Sequence, residues 1–279
     1  MSQNVRANSI STSWSAGVRL AWQAMIASWW ARMREQYGSV GAAGYLLVWI
    51  AIPVFELATA GLIYRGHRPE LLRYAVVGVA GNAFVLNSLY YIGQMLDEQR
   101  LRGTLVGLFL APCPRLGWLT GLALGGLLDA AMAAVVAVVF GVVVFGVHFD
   151  PNYPALLLSC VLFLLSLWGM GFVFSAIGLV IKKSNDLANL VSPFLTLLGG
   201  VLYPIALLPG WLQVPAHALP LGYGMQAMAG AALHHAGIAS LAPQLVPLAG
   251  FAVALPVIGM WTFGWLERGV RQRGELDLY

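Results

Sequence analysis

The chain has 279 residues, of which 59% are hydrophobic and only 9% are charged, and its formal net charge is +4. A soluble domain carries about 25% charged residues, so this composition excludes a water-soluble globular protein. Apolar runs long enough to cross a bilayer predict transmembrane helices, which satisfy their own backbone hydrogen bonds in lipid. The runs are continuous rather than alternating, which excludes a transmembrane β-barrel.

The N-terminal region is predicted to lie on the membrane surface. Residues 1–13 are polar and are expected to be disordered. From Trp14 to Tyr37 apolar residues recur at three- and four-residue spacing, which predicts an amphipathic helix. Its apolar face would consist of Trp14, Val18, Trp22, Met25, Trp29 and Met33. A tryptophan-rich face flanked by arginines favours a helix in the headgroup layer, with packing on other protein as the alternative.

Six apolar segments follow, and they predict an all-α integral membrane fold with six transmembrane helices. They cover about Val40–Tyr64, Leu71–Leu96, Leu116–Val147, Ala155–Ile181, Leu187–Leu208 and Leu245–Leu266. Together with the amphipathic helix they would form one domain over residues 14–273, followed by a tail of residues 274–279.

The distribution of basic residues predicts the topology. Four Lys or Arg lie before the first span, three between the second and third, two between the fourth and fifth, and three in the tail, which makes twelve of the 15. Because basic residues collect in cytoplasmic loops, both termini are expected in the cytoplasm of a multi-pass inner-membrane protein. Arg65, Arg68 and Arg73 would lie outside, where they could contact headgroups or an anionic substrate, or simply snorkel.

The fifth span is interrupted by residues that break helices. Proline removes a backbone donor, and such breaks are tolerated at membrane depth only where protein or water satisfies the freed groups. The uncharged, proline-rich stretch Tyr203–Tyr223 therefore predicts a re-entrant or interfacial hairpin on the outer face rather than a seventh span. The residues assigned to this break and hairpin are Pro193, Gly199, Gly200, Tyr203, Pro204 and Pro209.

Two carboxylates lie inside predicted spans, at Glu56 and Asp129. Ionisable groups in hydrocarbon are costly and are often functional, so both are candidates for lining a substrate path or for carrying protons. The alternative for each is a protonated or hydrogen-bonded carboxyl group at a helix interface. Asn82 and Asn87 in the second span are weaker candidates for the path, and hydrogen bonds between helices are their expected role.

Several kinds of chemistry are not predicted. The only lysines, Lys182 and Lys183, lack the preceding glycines of a nucleotide-binding loop. Cys113 and Cys160 give neither a disulfide framework nor metal-ligand spacing. The adjacent His234 and His235 would point about 100° apart on a helix. No metal site is expected, and these two histidines are assigned to a polar loop.

The segment from Asp97 to Pro112 is amphipathic, of mixed charge, and lies between the second and third spans. It could dock on a soluble partner while staying attached to two membrane helices. In it Glu98 is followed by Gly103, Thr104 and Leu105, and then by Pro112.

This order resembles the second-to-third loop of the permease subunits of type-2 ABC exporters, which move drugs, lipids and polysaccharides. The resemblance extends from about Trp14, whose helix resembles the elbow helix of that family, to Arg273. The broken fifth span carries it through Ser192, Pro193, Gly199, Gly200, Tyr203, Pro204, Leu208, Pro209, Trp211, Leu219, Pro220, Leu221, Gly222 and Tyr223. Two departures, at Val106–Gly107 and Met225–Ala229, leave the substrate subclass open because relatives often carry charged residues there.

The resemblance implies a transport subunit that is not itself an enzyme. Separate ABC ATPase subunits would bind ATP and Mg²⁺, this chain would bind no cofactor, and its other partners would be lipid and a second permease copy or paralogue, with no nucleic acid. Glu98 and Arg102 could instead form a local helical ion pair. The coupling helix that contacts the ATPase would contain Glu98, Arg102, Gly103, Thr104, Leu105, Leu108 and Pro112.

The scarcity of charges along the spans favours a hydrophobic, lipid-like, drug or glycan cargo over a small ion. The alternative function is a proton-coupled secondary transporter that uses Glu56 or Asp129. An inverted internal repeat would indicate such a transporter, and none is seen. An intramembrane enzyme would need more polar groups at one depth than these two carboxylates.

Overall fold

A computed structural model describes residues 19, 22–23, 26–27, 30, 44, 47, 50–64, 69–101, 115–181 and 184–272. All regular structure in these ranges is helical, which confirms the all-α class. The helices are α1 (Ile50–Tyr64), α2 (Pro69–Leu101), α3 (Arg115–Phe145), α4 (Tyr153–Ile181), α5 (Ser184–Leu198), a short 3₁₀ helix (Ile205–Leu207), α6 (Gly210–His217), α7 (Pro220–Leu233) and α8 (Ala242–Gln272).

Four of these helices are long and apolar enough to cross a membrane. Their apolar stretches are Pro69–Tyr90 in α2, Gly126–Phe145 in α3, Tyr153–Ile177 in α4 and Ala242–Thr262 in α8. They correspond to the second, third, fourth and sixth predicted spans. The described helices at the first and fifth predicted spans, α1 and α5, are shorter, so the count of six spans stays a prediction.

Six described residues of the predicted N-terminal helix are helical and exposed. They are Arg19, Trp22, Gln23, Ile26, Ala27 and Trp30. Trp22 belongs to the predicted apolar face, and the other five members of that face lie outside the described residues. Residues 1–13 lie outside them as well. The helical state agrees with the prediction for this region.

Helix α4 is the centre of the bundle and packs against α2, α5, α7 and α8. Its crossing with α8 requires glycine, because a Cβ atom on Gly169 would collide with the backbone of Leu255 and Pro256. A Cβ atom on Gly259 would lie 2.6 Å from the Gly169 carbonyl oxygen. The two backbones can approach this closely only because both residues lack side chains.

The loops and helix ends at one end of the bundle are joined by backbone hydrogen bonds and by apolar packing. The Asp150 and Asn152 amides in the α3–α4 loop donate to the carbonyls of Ala232 and Ala231 at the end of α7, at 3.1 and 2.9 Å. The end of α1, the start of α2 and the end of α3 meet there as well, in a small apolar cluster. Its members are Ala60, Tyr64, Leu72, Ala75, Phe145 and Leu202. We call this the hairpin end of the bundle.

The fifth predicted span departs from the expectation in its extent. Helix α5 stops at Leu198 rather than Leu208, and the chain turns at Gly199 and Gly200, where Gly200 has φ 65°. Glycine adopts this left-handed backbone without steric cost, which explains why the helix ends here. A Cβ atom on Gly78 of α2 would collide with Val201, so α2 lies directly against the turn.

Helix α7 was not predicted and is the most buried short helix of the fold. It begins beside the end of α5, where a Cβ atom on Gly199 would lie 3.1 Å from the Leu221 Cβ atom. It packs on α2, α4 and α8 and ends at the α3–α4 loop. Helix α7 therefore begins near the point where α5 ends and continues to the hairpin end. In the chain the two helices are separated by the turn, the 3₁₀ helix and α6.

Candidate functional site

Three polar side chains from three helices form a chain of hydrogen bonds inside the apolar bundle. The Asn82 amide nitrogen in α2 donates to Glu56 Oε1 in α1 at 3.4 Å. Thr196 Oγ1 in α5 donates to Asn82 Oδ1 at 3.3 Å. Both the nitrogen and the oxygen of the Asn82 side chain are thus hydrogen-bonded, and the residue is only 1% exposed. A buried amide satisfied in this way fixes the relative position of the helices that it joins.

A second polar contact joins α2 and α5 further from the hairpin end. The Tyr90 hydroxyl group donates to Asn189 Oδ1 at 2.9 Å and lies 3.0 Å from Ser192 Oγ. On α5 these residues and Thr196 recur at three- and four-residue spacing, so they share one helix face. We call the six residues of both contacts the polar seam: Glu56, Asn82, Tyr90, Asn189, Ser192 and Thr196.

Glu56 supplies the one carboxyl group of the seam. Among the described residues, Asn82 is the one group that hydrogen-bonds to its carboxylate, and the Glu56 side chain is only half-buried. The neighbouring Phe55 is exposed. A carboxylate between apolar helices with a single amide donor keeps unused acceptor capacity, so it can accept a hydrogen bond from another molecule.

Two other predicted site residues lie outside the seam. The Asn87 amide nitrogen donates to the Ala83 carbonyl oxygen of its own helix at 2.9 Å, whereas a bond between helices was expected. Asp129 is buried in α3, a helix that packs chiefly against α2. The structure therefore joins Glu56 and Asn82 by a hydrogen bond, whereas the bond of Asn87 stays within α2.

Most of the predicted coupling segment lies outside the described residues. Glu98 falls in the last turn of α2, which continues to Leu101. The outlying residues are Arg102, Gly103, Thr104, Leu105, Leu108 and Pro112. Their assigned role in contacting an ATPase stays a prediction.

The predicted hairpin residues occupy the turn and the helix starts after α5. Gly199 and Gly200 make the turn, and the Tyr203 hydroxyl group donates to the Leu197 carbonyl oxygen at 3.1 Å. Pro204 precedes the 3₁₀ helix and Pro209 precedes α6. Proline suits these positions because its fixed φ starts a helix without needing a hydrogen-bonded amide.

At the hairpin end, His235 Nδ1 lies 3.2 Å from Asp150 Oδ1, and both side chains are exposed. This pair joins the α3–α4 loop to the α7–α8 loop. Arg73, one of the arginines assigned to the outer side, forms a long contact of 4.0 Å with Glu70 in the first turn of α2. No group of three or more potential metal ligands occurs in the part of the chain that the structure describes.

Sequence reasoning missed four members of the seam, Tyr90, Asn189, Ser192 and Thr196. Each is a single polar residue in an apolar stretch, which gives little signal by itself. The spacing of the last three on α5 was the available signal, because a polar face on a short apolar helix indicates a polar neighbour.

Comparison with known proteins adds one positive finding. Residues 3–233 match the family model described as ABC-2 type transporter. The match covers well over half of the 279 residues and includes the whole polar seam, the turn and α7. The search of curated proteins found no match.

Proposed function

The chain belongs to the ABC-2 type transporter family, and from this premise we propose that it exports a hydrophobic, lipid-like, drug or glycan cargo from the cytoplasm or the inner leaflet. Members of the family are membrane subunits of ABC transporters, so the chain is a multi-pass permease subunit and not the catalytic subunit. Such permeases work with an ABC ATPase. The proton-coupled secondary transporter considered above is not favoured by this membership.

The observation that carries the proposal is the polar seam. Its side chains are the hydrogen-bonding groups that α1, α2 and α5 direct at one another, while the surrounding core is apolar. An amphipathic cargo needs both surfaces, because its polar part must find hydrogen-bonding groups while its apolar part stays in hydrocarbon. Glu56 with its free acceptor capacity is the group best suited to meet the polar part of such a cargo.

We assign the use of ATP to a partner. The helical extension of α2 to Leu101 carries the chain beyond the apolar stretch that ends at Tyr90. This extension supports a coupling helix at residues 97–112, with ATP and Mg²⁺ bound by separate ATPase subunits. A second permease copy or paralogue would complete the transport path, and ATPase closure would then move the two coupling helices together.

Co-purification tests the proposed coupling directly. The tagged chain is expected to bring down an ABC ATPase from its native membrane, with hydrolysis that responds to cargo. Gly103→Trp or Glu98→Lys should reduce both the recovered ATPase and the transport-linked hydrolysis by about tenfold, which corresponds to about 1.4 kcal/mol of lost interaction.

A matched control lies on the same helix. Glu70 is exposed in the first turn of α2, at the opposite end from Glu98, so Glu70→Lys makes the same charge reversal away from the proposed contact. It should leave ATPase recovery unchanged. Wild-type recovery and hydrolysis in both Gly103→Trp and Glu98→Lys would remove the coupling role from this segment.

A further inference from the structure

The face of α1 that carries Glu56 is apolar on both sides of the carboxyl group. Ile52 and Ile63 are four and seven residues away from Glu56, which places all three on one helix face. The two isoleucines are 51% and 58% exposed. Thr59 lies on the same face, but its hydroxyl group donates to the Phe55 carbonyl oxygen of α1 at 2.8 Å. The described part of this face therefore offers apolar contacts beside the carboxyl group and no second donor to it.

The other end of the hydrogen-bond chain fixes which way the Asn82 amide points. The Thr196 hydroxyl group donates to Asn82 Oδ1, so the amide presents its nitrogen to Glu56 Oε1. One carboxylate oxygen is held by this bond, and Glu56 keeps acceptor capacity for a further donor. Asn82 is thus a positioning residue for the carboxyl group.

The protein brings no basic side chain to this carboxyl group from the helices of the seam. In the described parts of α1, α2 and α5, the basic residues are Arg73 and Arg100. At 1.5 Å per residue they lie about 14 and 27 Å along α2 from Asn82, and Arg73 contacts Glu70 instead.

The remaining predicted spans do not supply a cation either, and a second copy with the same sequence would bring the same residues. The segments without any Lys, Arg or His are residues 40–64, 116–147, 155–181, 187–208 and 245–266. An ionisable group inside a membrane normally pairs with an opposite charge or meets a water-filled cavity. A charge that compensates Glu56 at this depth must therefore come from outside the protein.

We propose that Glu56 binds a lipophilic cation, namely an amphipathic amine, quaternary ammonium or phosphonium compound whose positive charge pairs with the carboxylate. The apolar body of this ligand lies against Ile52 and Ile63. Opposite charges attract more strongly here than in water because the effective dielectric constant is lower. An amine also donates a charge-assisted hydrogen bond, which is stronger than one between neutral groups. This inference rests on the proposed function and narrows its cargo to one charge class.

Equilibrium dialysis of the purified full chain in phosphatidylcholine nanodiscs tests the charge class without an ATPase. The probes are tetraphenylphosphonium and tetraphenylborate, which have nearly the same size and shape and opposite charges. The chain is expected to bind the phosphonium saturably, above the uptake of empty nanodiscs, and at least tenfold more tightly than the borate. Equal binding of the two ions, or no saturable binding of the phosphonium, would overturn the proposal.

Three variants assign the bound cation to the carboxylate. Glu56→Gln removes the charge at nearly constant size, so it should weaken phosphonium binding at least tenfold and abolish the preference over borate. Glu56→Asp keeps the charge and should retain the preference. Glu70→Gln removes an exposed carboxylate at the start of α2 and should bind like the wild-type chain. Wild-type affinity in Glu56→Gln would place the cation elsewhere and contradict the proposal.

Two tryptophan substitutions locate the site while leaving Glu56 in place, so the test survives if Glu56→Gln fails to fold. Ile52 and Leu62 are both exposed, at 51% and 86%. Leu62 is six residues from Glu56, about 120° away around the helix, whereas Ile52 shares the Glu56 face. Ile52→Trp should therefore lower the phosphonium affinity several-fold and Leu62→Trp should not. Equal affinities in these two variants would argue against this face of α1.

The failure of this inference and the failure of the proposed function give different results. A chain that recovers an ATPase and exports cargo but does not bind the phosphonium has a neutral or anionic cargo, and only the charge class is wrong. A chain that binds the phosphonium through Glu56 but recovers no ATPase keeps the cation site and loses the proposed coupling.

Discussion

Glu56 is a residue for which a role in folding and a role in transport make different predictions. Its carboxylate receives one hydrogen bond, from Asn82, and is half-buried between apolar helices. Charged groups at this depth cost several kcal/mol unless they are paired or hydrated. We therefore propose that Glu56, with its one hydrogen-bond donor, serves transport rather than stability.

Replacing Glu56 with glutamine separates the two roles. Glutamine keeps an oxygen that can accept the bond from Asn82 but loses the charge. Glu56→Gln is therefore expected to keep the amount of protein in the membrane and its thermal midpoint, while export falls about tenfold or more, because charge-assisted hydrogen bonds contribute about 1.5–3 kcal/mol. The measurement is cargo export from cells or vesicles, normalised to membrane protein.

The control for this variant is Glu70→Gln, which removes a carboxylate from an exposed position and should export normally. Normal export by Glu56→Gln would instead assign its carboxyl group to helix packing.

The polar seam illustrates how far single residues can be interpreted from sequence. Glu56 and Asn82 were predicted because a carboxylate and an amide inside long apolar runs are conspicuous. Tyr90 was not, since a tyrosine in a helix has many neutral roles. Whether a polar residue meets a partner depends on how two helices dock, and the spacing within one helix does not contain that information.

At the scale of helices, the crossing of α4 and α8 is set by glycine. The bundle tolerates no side chain at Gly169, where a Cβ atom would meet backbone atoms of α8 that cannot rotate away. On α8 itself, a Cβ atom on Gly250 would find no atom within 4 Å. Replacing glycine with alanine at these two positions is therefore expected to change the free energy of unfolding in opposite directions.

Gly169→Ala should lower the free energy of unfolding by about 1–3 kcal/mol, the usual cost of overpacking. Gly250→Ala should raise it by about 0.5–1 kcal/mol, because alanine favours helix more than glycine does. Thermal unfolding in detergent, followed for both variants beside the wild-type chain, measures the difference. Equal shifts in the two variants would contradict the close crossing.

Helix α7 shows where sequence patterns stop being informative. Its sequence is mostly apolar, with Gln226 as its one amide side chain, so it lacks the periodicity that identifies a half-exposed helix. The prolines that precede it suggested a loop or an interfacial helix. Its burial follows from the space that α2, α4 and α8 leave between them, which is a property of the packed bundle. Helices α2, α3, α4 and α8 were predicted closely because length and apolar content alone define a crossing.

For the whole molecule, the predicted topology can be tested through the loops that meet at the hairpin end. The hairpin end carries the α3–α4 loop and the α7–α8 loop, neither of which contains Lys or Arg, and it also carries the ends of α1 and α2, whose connection contains Arg65 and Arg68. The positive-inside rule therefore predicts that these loops lie outside and that both termini lie inside. Reporter fusions after Tyr279 and at His234 should therefore report opposite sides of the membrane.

A fusion at Lys182, between α4 and α5, provides the internal standard because it should report the same side as Tyr279. If the His234 and Tyr279 fusions report one side, the crossing by α8 is wrong.

The glycine turn after α5 also has a mechanical consequence. Because α5 and α7 are separate rods, a push at Ser184 would tilt α5 about its joint at Gly199–Gly200. This tilt would change the packing of α5 on α2, while α7 would keep its packing on α4 and its hydrogen bonds to the α3–α4 loop. A continuous helix would carry the same displacement straight through the bilayer. We therefore expect the two parts of the broken span to move separately, so that α5 can shift near Ser184 while α7 keeps its contacts.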